Sequence, residues 1–337
     1  MTILSLAPVE PSDEPAIRSW YQLRCAVVQA DWPDYPPPCW VEELGCFQHP
    51  WPGEAQTAWV ARVAGSVVAG CALTLPTLDN PCNARGVILV VPEHRRRGIG
   101  RALLAHLRAE AVRQGRDRLV VWVEQPLDSA TPDPAGRFAT ASGAVPALVE
   151  TRRWLEVDSV DPAVFARLDA QARAKSWDYS LVQWVGGTPR RWLEDMAYLT
   201  GRMSTDAPLD NLRWEAEIFD TVRLRACEAS RLARGQHLVV TGAVERTGRL
   251  VAFTMLVGFA TSRWFAGQED TIVAPEHRGH RLGTLIKVAN LHLAQSQRPE
   301  LRVIDTCNAD SNQHMVRINE AIGFRPHHRT GEWQLDL

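Results

Sequence analysis

The chain has 337 residues, a length that fits two domains better than one. It is 45% hydrophobic with a formal charge of −2, so a sizeable core is expected and no global field favours nucleic acid or a membrane surface. The seven cysteines include no Cys-x-x-Cys pair, which argues against a disulfide framework or a zinc site and fits a reducing cytoplasm.

In chain order, the first residues lack the basic and apolar segments of a secretion signal, and no run of about 18 apolar residues follows anywhere. Residues 32–38, rich in proline, are predicted to be extended and rigid. Residues 59–75 form two apolar runs around Gly65, a hairpin signal. A short strand over 86–91 leads into a basic, glycine-containing loop. A helix follows, with Ile99, Leu103, Leu104 and Leu107 on one face. Residues 118–123 read as a strand, 136–143 as a short helix and 150–156 as a further strand. The stretch 157–162 reads as a linker into a helix starting near Pro162. Residues 188–199 and 214–234 read as extra helices.

The first pattern then recurs. A hairpin spans 237–257 around Gly248, a strand spans 270–274, and Pro275-Glu-His-Arg278 repeats Pro92-Glu-His-Arg95. The next helix carries Leu282, Leu285, Ile286, Ala289 and Leu293 on one face. A strand over 301–306, a helical stretch over 313–324 and a last strand over 332–335 complete the second copy. The order hairpin, strand, loop, helix, strand, helix, strand therefore occurs twice. It predicts a duplicated α+β fold, each copy a mixed, mostly antiparallel sheet flanked by helices, with domains over 1–157 and 158–337.

The loop between strand and helix carries the chemistry. In the first copy it is Arg95, Arg96, Arg97, Gly98, Ile99, Gly100 and Arg101. Free N–H groups at a helix start attract an anion, glycines allow close approach, and arginines supply charge. A diphosphate is the group this suits. A solvated basic helix start is the bland alternative, and its recurrence in the same context weighs against it. No Gly-Lys-Ser/Thr follows, so a Walker-type nucleotide site is not expected.

Val90-Val-Pro-Glu-His-Arg-Arg-Arg-Gly-Ile-Gly100 resembles motif A of the GNAT acyltransferase superfamily, and Val273-Ala-Pro-Glu-His-Arg-Gly-His-Arg281-Leu-Gly283 is similar to it. Asn312-Gln-His-Met-Val-Arg-Ile-Asn319-Glu-Ala-Ile-Gly-Phe324 resembles the family's terminal segment. The resemblance implies acetyl-CoA or another acyl-CoA as donor and an amine that attacks the thioester directly. It also implies that the motif strand holds the pantetheine arm, here at Leu89 and Val90 and at Ile272 and Val273. Arg278, Gly279, His280, Arg281, Leu282, Gly283 and Thr284 form the second pyrophosphate loop. A small-molecule amine is the expected partner, without nucleic acid or membrane, in a monomer or homodimer.

The copies are unequal. The first has no carboxylate at the start of its motif strand, and Ala139 stands at the place of the family's tyrosine acid. The second has Glu269 and Asp270 as candidate proton acceptors and Asn319 at the tyrosine's place, with Thr306, Asn308 and Asn312 nearby. An amide bonds a sulfur or oxyanion but donates no proton. Copy two is therefore expected to be catalytic, with Asn308 and Asn312 on the donor side or serving as helix caps. Arg281 replaces a glycine and is expected to cost about 1 kcal/mol if its φ is positive. Trp177, Tyr179, Trp184 and Trp192 are candidates for a pocket or for the core, and His327 and His328 for the cleft or an exposed tail. A non-catalytic acyl-CoA-binding module, or action on a protein or peptide amine, are the alternative readings.

Overall fold

The structure is a computed structural model in which residues 5–128 and 133–337 are described. Residues 1–4, part of the N-terminal stretch read above, lie outside them. The chain divides into two compact units. Unit 1 holds the described residues up to Val149, together with Asp210–Glu215 and Thr330–Leu337; unit 2 holds Glu150–Leu209 and Ala216–Arg329. The division thus differs from a single cut at residue 157. Local periodicity could not reveal this, because two long strands each share their length between the units.

Unit 1 contains β1 (Ser5–Val9), α1 (Glu14–Asp31), α2 (Trp40–Gln48), β2 (Glu54–Val63), β3 (Ser66–Pro76), β4 (Asn83–Val90), α3 (Ile99–Arg113), β5 (Arg118–Gln125), α4 (Pro134–Ala141) and the first residues of β6 (Val145–Glu156). Its strand order is β1-β2-β3-β4-β5, antiparallel except for the parallel pair β4–β5. Leu103, Leu104 and Leu107 of α3 pack on Leu73, Leu119 and Val123. On the opposite face Ile17 and Trp20 of α1 pack on Val60 and Ala72. The sequence reading missed α1, which starts where Asp13 accepts the Ala16 N–H at 3.0 Å. The proline-rich residues 32–38 link α1 to α2 as a turn and extended chain.

Unit 2 contains the rest of β6, then α5 (Pro162–Arg173), β7 (Ser180–Val185), α6 (Leu193–Asp206), α7 (Thr221–Ala233), β8 (His237–Val244), β9 (Leu250–Gly258), β10 (Phe265–Val273), α8 (Leu282–Gln297), β11 (Val303–Ala309), α9 (Gln313–Ile322) and the start of β12 (Arg325–Asp336). The succession β7-β8-β9-β10-β11 repeats that of unit 1, again with one parallel pair, β10–β11. Two expected helices shift. The first begins as a 3-10 turn at Arg190–Trp192 and continues as α6; the second starts only at Thr221, where Asp220 accepts the Arg223 N–H at 2.7 Å. The duplicated α+β architecture is present, with helices on both faces of each unit's strands.

One topological detail positions the site. The pairing of β4 with β5 ends at Gly86↔Val121, and that of β10 with β11 ends at Gln268↔Thr306. Beyond those points one backbone edge of residues 87–90 and of residues 269–273 has no strand partner among the described residues. An extended chain carrying amide groups can hydrogen-bond along such an edge.

Candidate active site

The two glycine loops have the same backbone. Each has two left-handed positions, and each fills one with glycine and the other with arginine. Arg96 (φ 62°) and Gly98 (φ 83°) in the first loop correspond to Gly279 (φ 86°) and Arg281 (φ 56°) in the second. The apparent defect at Arg281 is therefore matched by Arg96, and neither loop is the better one on this ground. Arg281 also donates to Gln171 Oε1 at 3.0 Å. Arg96→Gly and Arg281→Gly are each expected to raise stability by up to about 1 kcal/mol, the left-handed penalty less the extra chain entropy of glycine. Urea unfolding of the two variants measures this, and a loss of stability in both would contradict it.

Arg95 and Arg278 work as braces for these loops. Arg95 Nε donates to the Val90 carbonyl at 2.9 Å, and its Nη atoms grip Asp31 at 2.7 and 2.8 Å. Arg278 Nε donates to the Val273 carbonyl at 3.2 Å, and Nη2 reaches Asp206 at 2.5 Å. Both arginines thus make a structural bond that is repeated in both units. Arg96, Arg97, Arg101, His280 and Arg281 remain exposed beside the helix starts. Ile99 and Leu282 bury their side chains in the core, so only their backbone N–H groups face a ligand. Neither α3 nor α8 has a side-chain cap, and a Cβ at Gly98 or Gly279 would meet nothing within 4 Å. Gly100 and Gly283 sit in the first helical turn against Phe138 and Ile318, and Thr284 follows Gly283. Leu89 packs toward α1, Val90 toward α3, while Ile272 is buried among the α6 contacts and Val273 packs near α8.

The motif strands differ at one place. On β10 the register passes from Gln268↔Leu256 to Thr271↔Thr254, so two residues, Glu269 and Asp270, stand opposite Met255 alone. This is a β-bulge, which turns a side chain out of the regular alternation. Gln268 Nε2 fixes it by donating to the Met255 carbonyl at 2.8 Å and to Thr254 Oγ1 at 3.0 Å; Thr254 and Thr271 share a hydroxyl bond of 2.7 Å. β4 pairs with β3 without such a shift, and Val87, 45% exposed, stands three residues before Val90 as Asp270 does before Val273.

Burial raises the Asp270 carboxyl to about 6, and the neighbouring Glu269 charge adds to that, against the opposing pull of Arg231. Glu269 Oε2 accepts from Arg231 Nη2 at 3.1 Å. The pair of carboxylates is thus divided: Glu269 holds a cation, and Asp270 is poised to take up a proton near neutral pH. Arg231, Gln268 and Thr254 escaped the sequence reading; for Gln268 and Thr254 the available signal was a polar residue within a strand, whereas Arg231 lies on α7.

On α9, Asn312 is a helix cap, accepting the Met315 N–H at 3.2 Å. Asn319 is fully buried at 0% exposure, and its Nδ2 donates to Asn308 Oδ1 at 2.6 Å. Its Oδ1 has no partner. Thr306 is buried at the end of the paired segment of β11. Of the remaining candidates, Trp192 is buried and tilts against Trp184 at 5.7 Å, both in the core. Tyr179 donates to or accepts from His277 at 3.0 Å beside the second loop, and Trp177 is 74% exposed. His327 stacks on Trp154 at 3.9 Å, and His328 is buried with its imidazole pushed down to about 3 by desolvation, Arg152 and His327. Neither is an exposed tail residue. Among the described residues there is no cluster suited to a metal, no cysteine forms a disulfide, and no helix is long and apolar enough to cross a membrane.

Residues 17–132 match the acetyltransferase (GNAT) family. Over 267 residues the chain is 30% identical to a mycothiol acetyltransferase of Thermomonospora curvata, covering 77% of this chain and 75% of that one. The fold is similar to a tandem GNAT protein from the clavulanic acid biosynthesis pathway, with a TM-score of 0.84 and 33% identity over 99% of this chain and 98% of that one. A GCN5-related N-acetyltransferase from Sphaerobacter thermophilus shares the fold at 15% identity, with a TM-score of 0.64 over 99% and 95% of the two chains.

Proposed function

The chain belongs to the GNAT acetyltransferase family, and from that membership we propose that unit 2 moves the acetyl group of acetyl-CoA to the primary amine of a small molecule. The observation that carries this reading is the bulge on β10, which sets Asp270 at the open strand edge with its carboxyl raised to about 6. Acetyl-CoA would supply an activated thioester carbonyl. The residues present fit it: the uncapped start of α8 and the open space at Gly279 suit the pyrophosphate, and the unpaired edge of residues 269–273 suits the pantetheine amides. Asp270 accepts the proton of the attacking amine, directly or through a water. Glu269, held by Arg231, keeps a second negative charge beside it that favours an ammonium-bearing substrate.

Unit 1 has the same loop but Val87 in place of the carboxylate, so it is read as a donor-holding or structural partner. A panel of amino acids, aminosugars and peptides, assayed for amine-dependent thiol release, tests the proposal. Exclusive activity on protein lysines would refute the small-molecule acceptor, and no release with any amine would favour a binding module.

A further inference from the structure

We infer that unit 2 carries a second small-molecule site, a pocket for an apolar α-amino acid between the start of α5 and the end of α9. The starting observation is a cavity of about 480 Å³. That size lies within the range usual for small-molecule sites, about 300–1,000 Å³. The cavity shares no residue with the groups assigned above to the donor or to the attacking amine, so the inference goes beyond the acyl-transfer reading and does not rest on it.

Two walls enclose the hollow. Val160 and Asp161 lie in the turn before α5, and Val164 and Arg167 follow on its first two turns. Positions three apart on a helix share a face, so Val164 and Arg167 look the same way. On the other side Glu320 ends α9 and Arg325 opens β12, with Gly323 between them. The walls meet at the bottom, where Val160 Cγ2 lies 2.6 Å from the place a Cβ on Gly323 would take.

The charges decide what the hollow takes. Two guanidinium groups, Arg167 and Arg325, and two carboxylates, Asp161 and Glu320, line one cavity, yet no ion pair joins any of them. Arg325 Nη1 donates to the Glu320 and Phe324 carbonyls at 3.2 and 3.0 Å, and Asp161 Oδ1 accepts the Ala163 N–H at 2.9 Å. The Arg167 guanidinium and the Glu320 carboxylate have no partner among the described residues. Opposite charges that face one hollow without pairing are joined by a ligand that carries both. A phosphate would meet two carboxylates as well as two cations, and a simple amine the reverse. An α-amino acid holds its ammonium and carboxylate one carbon apart and suits both sets. Its carboxylate fits the planar forks of Arg167 and Arg325, and its ammonium fits Glu320 and Asp161. Val160 and Val164, both half-buried, offer an apolar wall to its side chain.

The test uses the full chain without acetyl-CoA, so that no transfer occurs. Calorimetric titration with L-alanine, L-valine, L-leucine and L-phenylalanine is expected to show at least one binding with a Kd of about 1 mM or tighter. The same amino acid should raise Tm as its concentration rises. Its analogues with one charge, such as 4-methylpentanoate and leucinamide for L-leucine, should bind at least about tenfold more weakly. Arg167→Gln and Glu320→Gln, both at exposed positions, should each weaken binding by at least about tenfold while leaving Tm without ligand unchanged. Asp270→Asn should leave the affinity as it is. No binding by any of the four up to about 20 mM would mean a merely solvated charged surface and would overturn the inference. Equal binding of an analogue with one charge, competition by inorganic phosphate at the same concentration, or an affinity unmoved in both Arg167→Gln and Glu320→Gln would also overturn it. Binding lost in Asp270→Asn would put the amino acid at the transfer site and end the case for a second one. Amino-acid binding as expected without amine-dependent thiol release would sink the proposed reaction alone.

Discussion

Asp270→Asn is expected to lower kcat/KM by about 10²–10⁴-fold, the usual contribution of a positioned general base, and at the same time to raise Tm at neutral pH. Both effects have one origin. Burial and Glu269 lift the Asp270 carboxyl from 3.8 to about 6 in the folded chain. A group raised on folding adds stability that is fully present below its unfolded value and is lost as pH rises through its folded value. Between about pH 4 and pH 6 that contribution disappears, and above about pH 6 the native state carries a disfavoured charge. Asparagine carries none, so its advantage grows across this window and vanishes in acid. The wild-type rate should fall on the acid side with an apparent pKa close to 6, and the residual rate of the variant should lack that limb. Rates within about threefold of wild type would exclude Asp270 as the base. Glu269→Gln is expected to be milder, since Glu269 engages Arg231.

The second large effect is on stability. Gly323 ends α9 at φ 120°, and its N–H donates to the carbonyls of Asn319 and Glu320, both at 3.1 Å. A Cβ there would lie 2.6 Å from Val160 Cγ2 and 3.1 Å from Leu155 Cδ1. Gly323→Ala therefore combines a disfavoured backbone with overpacking against a β-branched side chain that has little freedom to turn. A loss of about 2–4 kcal/mol in guanidinium unfolding is expected. Val160→Ala in the same chain should recover part of it by removing the nearest methyl. Because α9 carries Asn319, the single variant should also lose activity where it remains folded. A loss below about 0.5 kcal/mol would contradict this account.

The duplicated α+β order was legible because apolar periodicity, turn glycines and a repeated tetrapeptide are all local signals. Glu269 and Asp270 were visible as an acidic pair, but not that they occupy a bulge, which depends on a side chain from within the same strand, Gln268, bonding to β9. The arginine in the second loop looked like a lesion because glycine was counted and φ could not be. Arg152 and Arg153 are successive residues of one strand, where alternation turns neighbours to opposite faces. Which of them would meet a carboxylate could not be read from spacing; Asp305 meets Arg152. The residue type of Asn312 suits a cap and a contact equally, and the bond it makes is that of a cap.

The last eight residues, Thr330–Leu337, belong to unit 1, whose other elements lie almost wholly in the first 149 positions. Synthesis proceeds from the N-terminus, so the first unit waits, nearly complete, until residues 330–337 have been made. Leu337 N donating to the Asp117 carbonyl at 3.0 Å is a bond that can form only after the second copy has been made. A gene cut after the first copy would encode a protein with an unfilled strand position. Such a chain tends to recruit a strand from elsewhere, so the first copy depends on residues that follow the second.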